Sequence, residues 1–518
     1  MTPFANWTFF GLLLLYTVLP ILVLGLLGKA SPRWCFVVSL PVLAFVFSHE
    51  DNVVLRVAGI SLPEPVGGQL TDPWATTRTG TEFAPLYLFL LCAAYQLVVP
   101  AAFLRWKSNR TFIPALLLTL LPLAASKFIP FLAHESVFGY LGISYVTFRA
   151  LDVVFSIRDG VVKSLAPGQL FAFLFFLPTV SSGPIDRYRR FGLDWVKTRT
   201  RAEFLDDLDF AIQRVMRGFL YKFIIAAQID THLRLPLLKA SGLWSHVGYM
   251  YVYTFYLFFD FAGYSAFAVG VSRLMGIRTP ENFAMPFLAR NIRDFWARWH
   301  MSLSFWFRDH IHMRFQLAAA KGKWFKGKHT ASYLGLFLTF GLMGVWHGLA
   351  WHYILYGLYH AMLTSGYDWF ARWNKHAKWW PDGPWWRTLN IGITFHIVAL
   401  GMLLFSGRLT PPPPPPFEAI IEEADHEAIS GYVWQRERPS AVTTVDVYVD
   451  GPWVAQAQCN RPRPDLRSRG YGDGAIGFRV ELPAWLRDGR SHAIEVRLSD
   501  GYRLIGKQKT VVFPHAQQ

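Results

Sequence analysis

Apolar stretches approaching or reaching twenty residues recur along the first four-fifths of this chain, and no other feature narrows its possible folds so far. The blocks lie at 7–27, 34–47, 83–104, 112–123, 171–180, 248–271, 333–359 and 391–405. A helix needs roughly 20 such residues to cross the hydrocarbon core of a bilayer. Composition agrees: of 518 residues 53% are hydrophobic and 17% charged, where a soluble domain carries about 25% charged residues. The chain therefore reads as a polytopic all-α membrane protein. Met1-Thr-Pro-Phe lacks the basic n-region of a signal peptide, so the first block is expected to stay as a helix.

Some blocks are short or interrupted, as at 140–155, which holds Arg149 and Asp152. Polar breaks at membrane depth survive where they face protein or a water-filled cavity, which points to an enzyme or transporter core. The net charge is +16, and basic residues cluster outside the blocks: Lys29 and Arg33; Arg105, Lys107 and Arg110; Arg187 to Arg201; Lys321 to Lys328; Arg372 to Lys378. Such loops are expected in the cytoplasm, and the acidic loop 49–82 outside. Fixing topology beside anionic lipid accounts for these charges, and docking of an acidic cytoplasmic partner is the alternative. Three cysteines, Cys35, Cys92 and Cys459, build neither a disulfide framework nor a thiolate metal cluster.

Three regions follow: a membrane core at 1–409, a proline-rich and acidic linker at 410–429, and a β module at 430–518. The run Pro411 to Pro416 cannot continue a helix. Beyond it, alternating segments at 442–448, 476–482 and 492–498, with Asp-Gly turn signals between them, predict a small β-sandwich. If the last basic loop is cytoplasmic, this module lies outside the membrane on the far side. It holds no clustered acid, base or nucleophile, so it reads as a binding or packing module.

Chemistry concentrates between 255 and 352. Asp260 interrupts an aromatic helix; it reads either as a helix–helix polar contact with Tyr264 and Ser265 or as a pocket carboxylate. Two prolines and a glycine at 276–286 break any spanning helix. That segment is expected to re-enter the membrane or lie along its interface, and it leads into an expected interfacial helix with Asp294, Arg298, Trp299 and His300, and with Ser302 and Ser304 as a small polar patch. His347 stands among apolar and small residues after Trp346, where a polar ring needs a partner or a function. Metal binding through His300, His310, His312, His347, His352 and His360 is disfavoured. On one helix His347 and His352 would lie roughly 140° apart, and the His-Glu-x-x-His pattern is missing. No metal is therefore expected. No Gly-x-Ser-x-Gly elbow is present either. Acyl transfer from a thioester to a hydroxyl needs less: proximity, and a neutral imidazole to take the proton.

Four motifs carry a resemblance: FLPTVSSGPIDRYRRF (176–191), FFDFAGYS (258–265), NIRDFWARWHMSLSFWFRD (291–309) and GVWHG (344–348). In this order they resemble the membrane-bound O-acyltransferase family. Within it they look most like the branch that transfers D-alanine to teichoic acid, with similarity at the same places to alginate and cellulose O-acetyltransferases. The resemblance implies transmembrane helices arranged around a central funnel, with His347 and His300 as the catalytic pair. Asp260, Asp294, Arg298, Ser302, Trp299 and Trp346 would bind substrate or support that pair. It implies no permanently bound cofactor, but an acyl donor on the 4′-phosphopantetheine arm of a small acidic carrier protein at the cytoplasmic face. A glycan acceptor or an extracytoplasmic acyl relay protein would receive the group. The setting would be a multi-pass protein of the cell inner membrane, surrounded by lipid and with no nucleic acid partner. The C-terminal module would be periplasmic. It departs from the family core, and it favours a glycan acceptor other than the usual teichoic acid. O-acetyl transfer to an exopolysaccharide, a noncatalytic glycan assembly factor and a transporter are the alternative functions.

Overall fold

The computed structural model describes residues 7–48, 53–55, 84–133, 138–240, 242–327, 329–381, 383–409, 417–425, 427–435, 443–450, 453–469, 471, 474–483, 486, 488–498 and 504–512. The acidic loop expected outside and the proline run fall almost wholly or wholly beyond these residues. The chain divides into two compact units, Met1–Pro411 and Pro412–Gln518.

The first unit is helical. Among the described residues four segments are long and apolar enough to cross a membrane: Phe9–Leu26, Asn109–Ile129, Leu243–Leu274 and Pro384–Phe405. This is a multi-pass membrane protein. Its lipid-length helices expose large side chains such as Leu15, Val23, Leu117 and Leu121, as expected where the solvent is hydrocarbon. Inside, Ile143–Arg158 is buried almost throughout and brings Arg149 and Asp152 into the core. The Arg149 guanidinium donates to the carbonyl oxygens of Phe173 and Leu174 (3.3 and 2.9 Å) and to that of Thr179, so its charge answers backbone left open by broken helix. Asp152 accepts from Arg187 and from the His310 ring, each at 2.9 Å.

Two expectations change here. The block at 333–359 is two helices, Thr330–His347 and Trp351–Ala377, broken at Gly348, so His347 and His352 do not share a helix. The basic run at 187–201 is partly internal: Arg199 is 4% exposed, paired with Asp207 at 3.2 Å and donating to the Leu274 carbonyl, while Arg190 binds Asp186 and Asp194. These arginines hold the fold and do not form a free cationic surface.

The second unit has two four-stranded sheets. In one, Leu504–Val512, Ser491–Leu498, Thr443–Val449 and Trp453–Cys459 lie in that order; in the other, Phe417–Ala424, Ala428–Gln435, Ala475–Glu481 and Arg461–Pro462. Alternating residues of both sheets, among them Ile429, Val433, Phe478, Val445, Val447 and Val496, share one core. The acidic stretch read as linker is in part the strand Phe417–Ala424, paired antiparallel to Ala428–Gln435. Its glutamates flank a buried Ile421, a pattern that places Glu422 at the surface while the strand joins the sheet.

Candidate active site

His347 is the last residue of the Thr330–His347 helix. That helix packs unusually close to Trp351–Ala377 because small residues line the seam. A Cβ on Gly344 would lie 2.6 Å from the Tyr353 carbonyl oxygen, and one on Gly357 only 2.3 Å from that of Phe340. The helix end is thus held against an aromatic wall, with the His347 ring 4.8 Å from Phe405, 6.0 Å from Tyr353 and 6.5 Å from Tyr356, centroid to centroid. The Trp346 ring lies 4.4 Å from it.

His300 reaches the same place from a different element. The expected interfacial helix is interrupted: Ile292–Trp296 and Met301–Phe307 are separate, and His300 joins them in a left-handed conformation (φ 44°, ψ 48°) that side-chain-bearing residues seldom adopt. Backbone bonds from Met301 to Asn282 (3.0 Å) and from Ala284 to Arg298 (3.0 Å) hold that turn in place. His300 is 5% exposed, edge-on to Phe261 at 4.7 Å and 6.5 Å from the Trp346 ring. The Trp346 ring therefore lies near both imidazoles, 4.4 Å from that of His347 and 6.5 Å from that of His300. Neither the buried Nδ1 of His300 nor the buried Nε1 of Trp346 has a hydrogen-bond partner among the described residues. Buried polar atoms in folded proteins are usually paired, so these two nitrogens leave hydrogen-bonding capacity open beside the histidine pair.

The other sequence candidates have structural partners. The Ser302 hydroxyl accepts from the Ile185 amide (2.9 Å) and donates to Asn282 Oδ1 (2.6 Å), and Asn282 Nδ2 donates to Ser265 Oγ (3.2 Å). This chain of bonds ties three of the four motifs together, and Ser302 is buried within it. Ser304 donates to the Trp299 carbonyl at 3.2 Å, so the two serines form no open polar patch. Asp294 accepts from Arg298 Nε at 2.7 Å and from the Arg290 amide at 3.0 Å, while Arg298 also donates to the Ala284 carbonyl. Trp299 is buried and stacked on Phe295 at 5.6 Å. Asp260 pairs with Lys222 across two helices, whereas Tyr264 meets Ser181 Oγ at 2.6 Å and Ser265 accepts from Asn282, both partners lying outside helices.

One residue was missed. Lys127, on the apolar helix Asn109–Ala133, directs its ammonium toward the His347 carbonyl oxygen at 3.5 Å. Its sequence signal is an ionisable residue within a span, displaced from notice because it lies four positions past the apolar block ending at 123.

Residues 145–404 match the model of the membrane-bound O-acyltransferase family. The chain is 43% identical over 422 residues to the teichoic acid D-alanyltransferase of Bacillus subtilis strain 168, covering 79% of this chain and 98% of that one. It is 41% identical to the enzyme of the same name from Streptococcus thermophilus, over 64% and 85% of the two chains. To the probable alginate O-acetylase AlgI of Pseudomonas aeruginosa it is 32% identical, over 54% and 51%. It is thus more similar to these teichoic acid D-alanyltransferases than to the alginate O-acetylase.

Proposed function

The chain belongs to the membrane-bound O-acyltransferase family, and we propose that it moves D-alanine from a carrier-protein thioester across the membrane to a hydroxyl of a teichoic-acid-like surface glycan. The observation that carries the reading is the His300–Trp346–His347 arrangement with its unpaired buried nitrogens. It stands in a chain that covers nearly the whole of a D-alanyltransferase. His347 acts as general base: its imidazole takes the proton as the acceptor oxygen attacks the thioester carbonyl. The carbon–sulfur bond then breaks, and the imidazolium returns the proton to the departing thiolate. His300 positions the acceptor or shares that proton transfer. No protein-bound cofactor takes part; the pantetheine arm of a small acidic carrier is the donor substrate. It enters from the cytoplasmic side of a funnel between the helices, and the acceptor, a glycan or a relay protein, enters from outside. On this topology the β-sheet unit is a periplasmic sandwich.

The test is acyl transfer in membranes containing His347→Ala at wild-type abundance. The reading expects turnover to fall by at least about 100-fold, the scale of general base catalysis. Retained turnover would remove His347 from the mechanism.

A further inference from the structure

Lys127 is the least satisfied charge at the site. It is half-buried within an apolar span, and among the described residues it has no carboxylate partner; its hydrogen bond to His347 is long, at 3.5 Å, and employs one of three ammonium protons. An ammonium held away from water without a counter-charge is unfavourable unless a ligand supplies one. Two groups of the cluster that includes His347 lack partners as well, His300 Nδ1, whose residue is 5% exposed, and Trp346 Nε1. We propose that Lys127 is an anion-binding residue for the acceptor substrate, gripping a phosphate or carboxylate that lies near the reacting hydroxyl.

Chemistry and depth assign the anion to the acceptor. An aminoacyl donor bears a cationic ammonium, which Lys127 repels. The pantetheine phosphate stands at the opposite end of its arm from the thioester on which His347 acts. Along a helix, the 17 residues from Arg110 to Lys127 rise about 26 Å, as do the 17 from Thr330 to His347. Both residues thus lie far from the basic loops that begin their helices, on the side from which the acceptor arrives. This part rests on the acyltransferase reading; the binding of an anion at Lys127 does not.

The experiment is thermal unfolding of the detergent-purified full chain with glycerol 1-phosphate, glycerol or 4′-phosphopantetheine. Glycerol 1-phosphate is expected to raise the unfolding temperature saturably and glycerol not to. Lys127→Met should need at least roughly tenfold more glycerol 1-phosphate, and Lys127→Arg should stay within a few-fold of wild type. Absence of a phosphate-specific shift in the wild type, or the same shift in Lys127→Met, would overturn the proposal. A shift with 4′-phosphopantetheine alone would overturn the acceptor assignment. If Lys127 only caps the Thr330–His347 helix, its variants lower the unfolding temperature equally with every additive, and the proposal fails. Lys127→Gln replaces Lys127→Met if that variant does not fold. The phosphate shift persists in His347→Ala, so failure of the catalytic assignment and failure of this proposal are separable.

Discussion

Gly344→Ala tests whether the seam between two helices sets the position of His347. The added Cβ would lie 2.6 Å from the Tyr353 carbonyl oxygen and 3.3 Å from its carbon. Ordinary contact begins at 3.4 Å, so the helices must part by roughly 0.8 Å at the turn that ends in His347. Overpacking of this kind costs about 1–3 kcal/mol. Its effect on rate is larger, because a displacement near 1 Å at a reacting group costs on the order of 100-fold. Gly341, one turn earlier on the same helix, has nothing within 4 Å of its Cβ position. Gly341→Ala should be neutral, or stabilising by up to about 1 kcal/mol through helix propensity. The assay is single-turnover transfer from aminoacylated carrier protein to acceptor in membranes of matched abundance, beside unfolding temperature in detergent. Gly344→Ala should lose at least tenfold in rate and several degrees in stability, with Gly341→Ala unchanged in rate. Equal behaviour of the two variants, or a Gly344→Ala enzyme with wild-type turnover, would refute the claim that close helix approach positions the imidazole.

Two further outcomes follow from particular contacts. Ser302→Ala leaves the Ile185 amide and Asn282 Oδ1 without their partner, at about 1–3 kcal/mol for each buried group; unfolding temperature should fall clearly, and less in Ser304→Ala, with an equal response from both arguing against the three-motif network. In the β-sheet unit His492 sits between Asp450 (2.6 Å) and Asp488 (3.0 Å), and these carboxylates hold its pKa above the usual 6.5. A raised folded-state pKa stabilises below the unfolded value and is lost as pH rises through the folded one. Hydrogen exchange of the Ser491–Leu498 strand in the full chain should therefore quicken from about pH 6.5 upward beyond the intrinsic base catalysis. His492→Gln should abolish that excess; a pH profile the same in both would contradict the pairing.

Much of the architecture was legible because membrane physics writes itself in one dimension. A long apolar run needs no partner to be recognised, and the spans near both ends of the helical unit appear where hydrophobicity places them. The site was legible in part. His300, Trp346 and His347 stood out as polar or aromatic groups in the wrong solvent, and the structure brings them together. Ser302, Asp294 and Arg298 carried the same signal, yet Asp294 and Arg298 pair with each other and with backbone, and Ser302 bonds the Ile185 amide and Asn282. The meaning of a buried polar group depends on its partner, and a partner 20 or 117 residues away is invisible to local reading.

From its sequence alone this chain is a helical membrane protein with a β unit after its prolines and four ordered motifs of an acyltransferase. Composition and residue pattern determine these because they act locally: hydrocarbon selects apolar helices, and alternation selects strands. Tertiary structure decided what required distance. It broke the 333–359 block in two and, through the left-handed backbone of His300, brought that ring within 6.5 Å of Trp346. It also drew Lys127 to His347 across 220 positions and buried Arg199. Each of these is set by packing and by the pairing of polar groups at low dielectric, where the energy depends on what is adjacent in space.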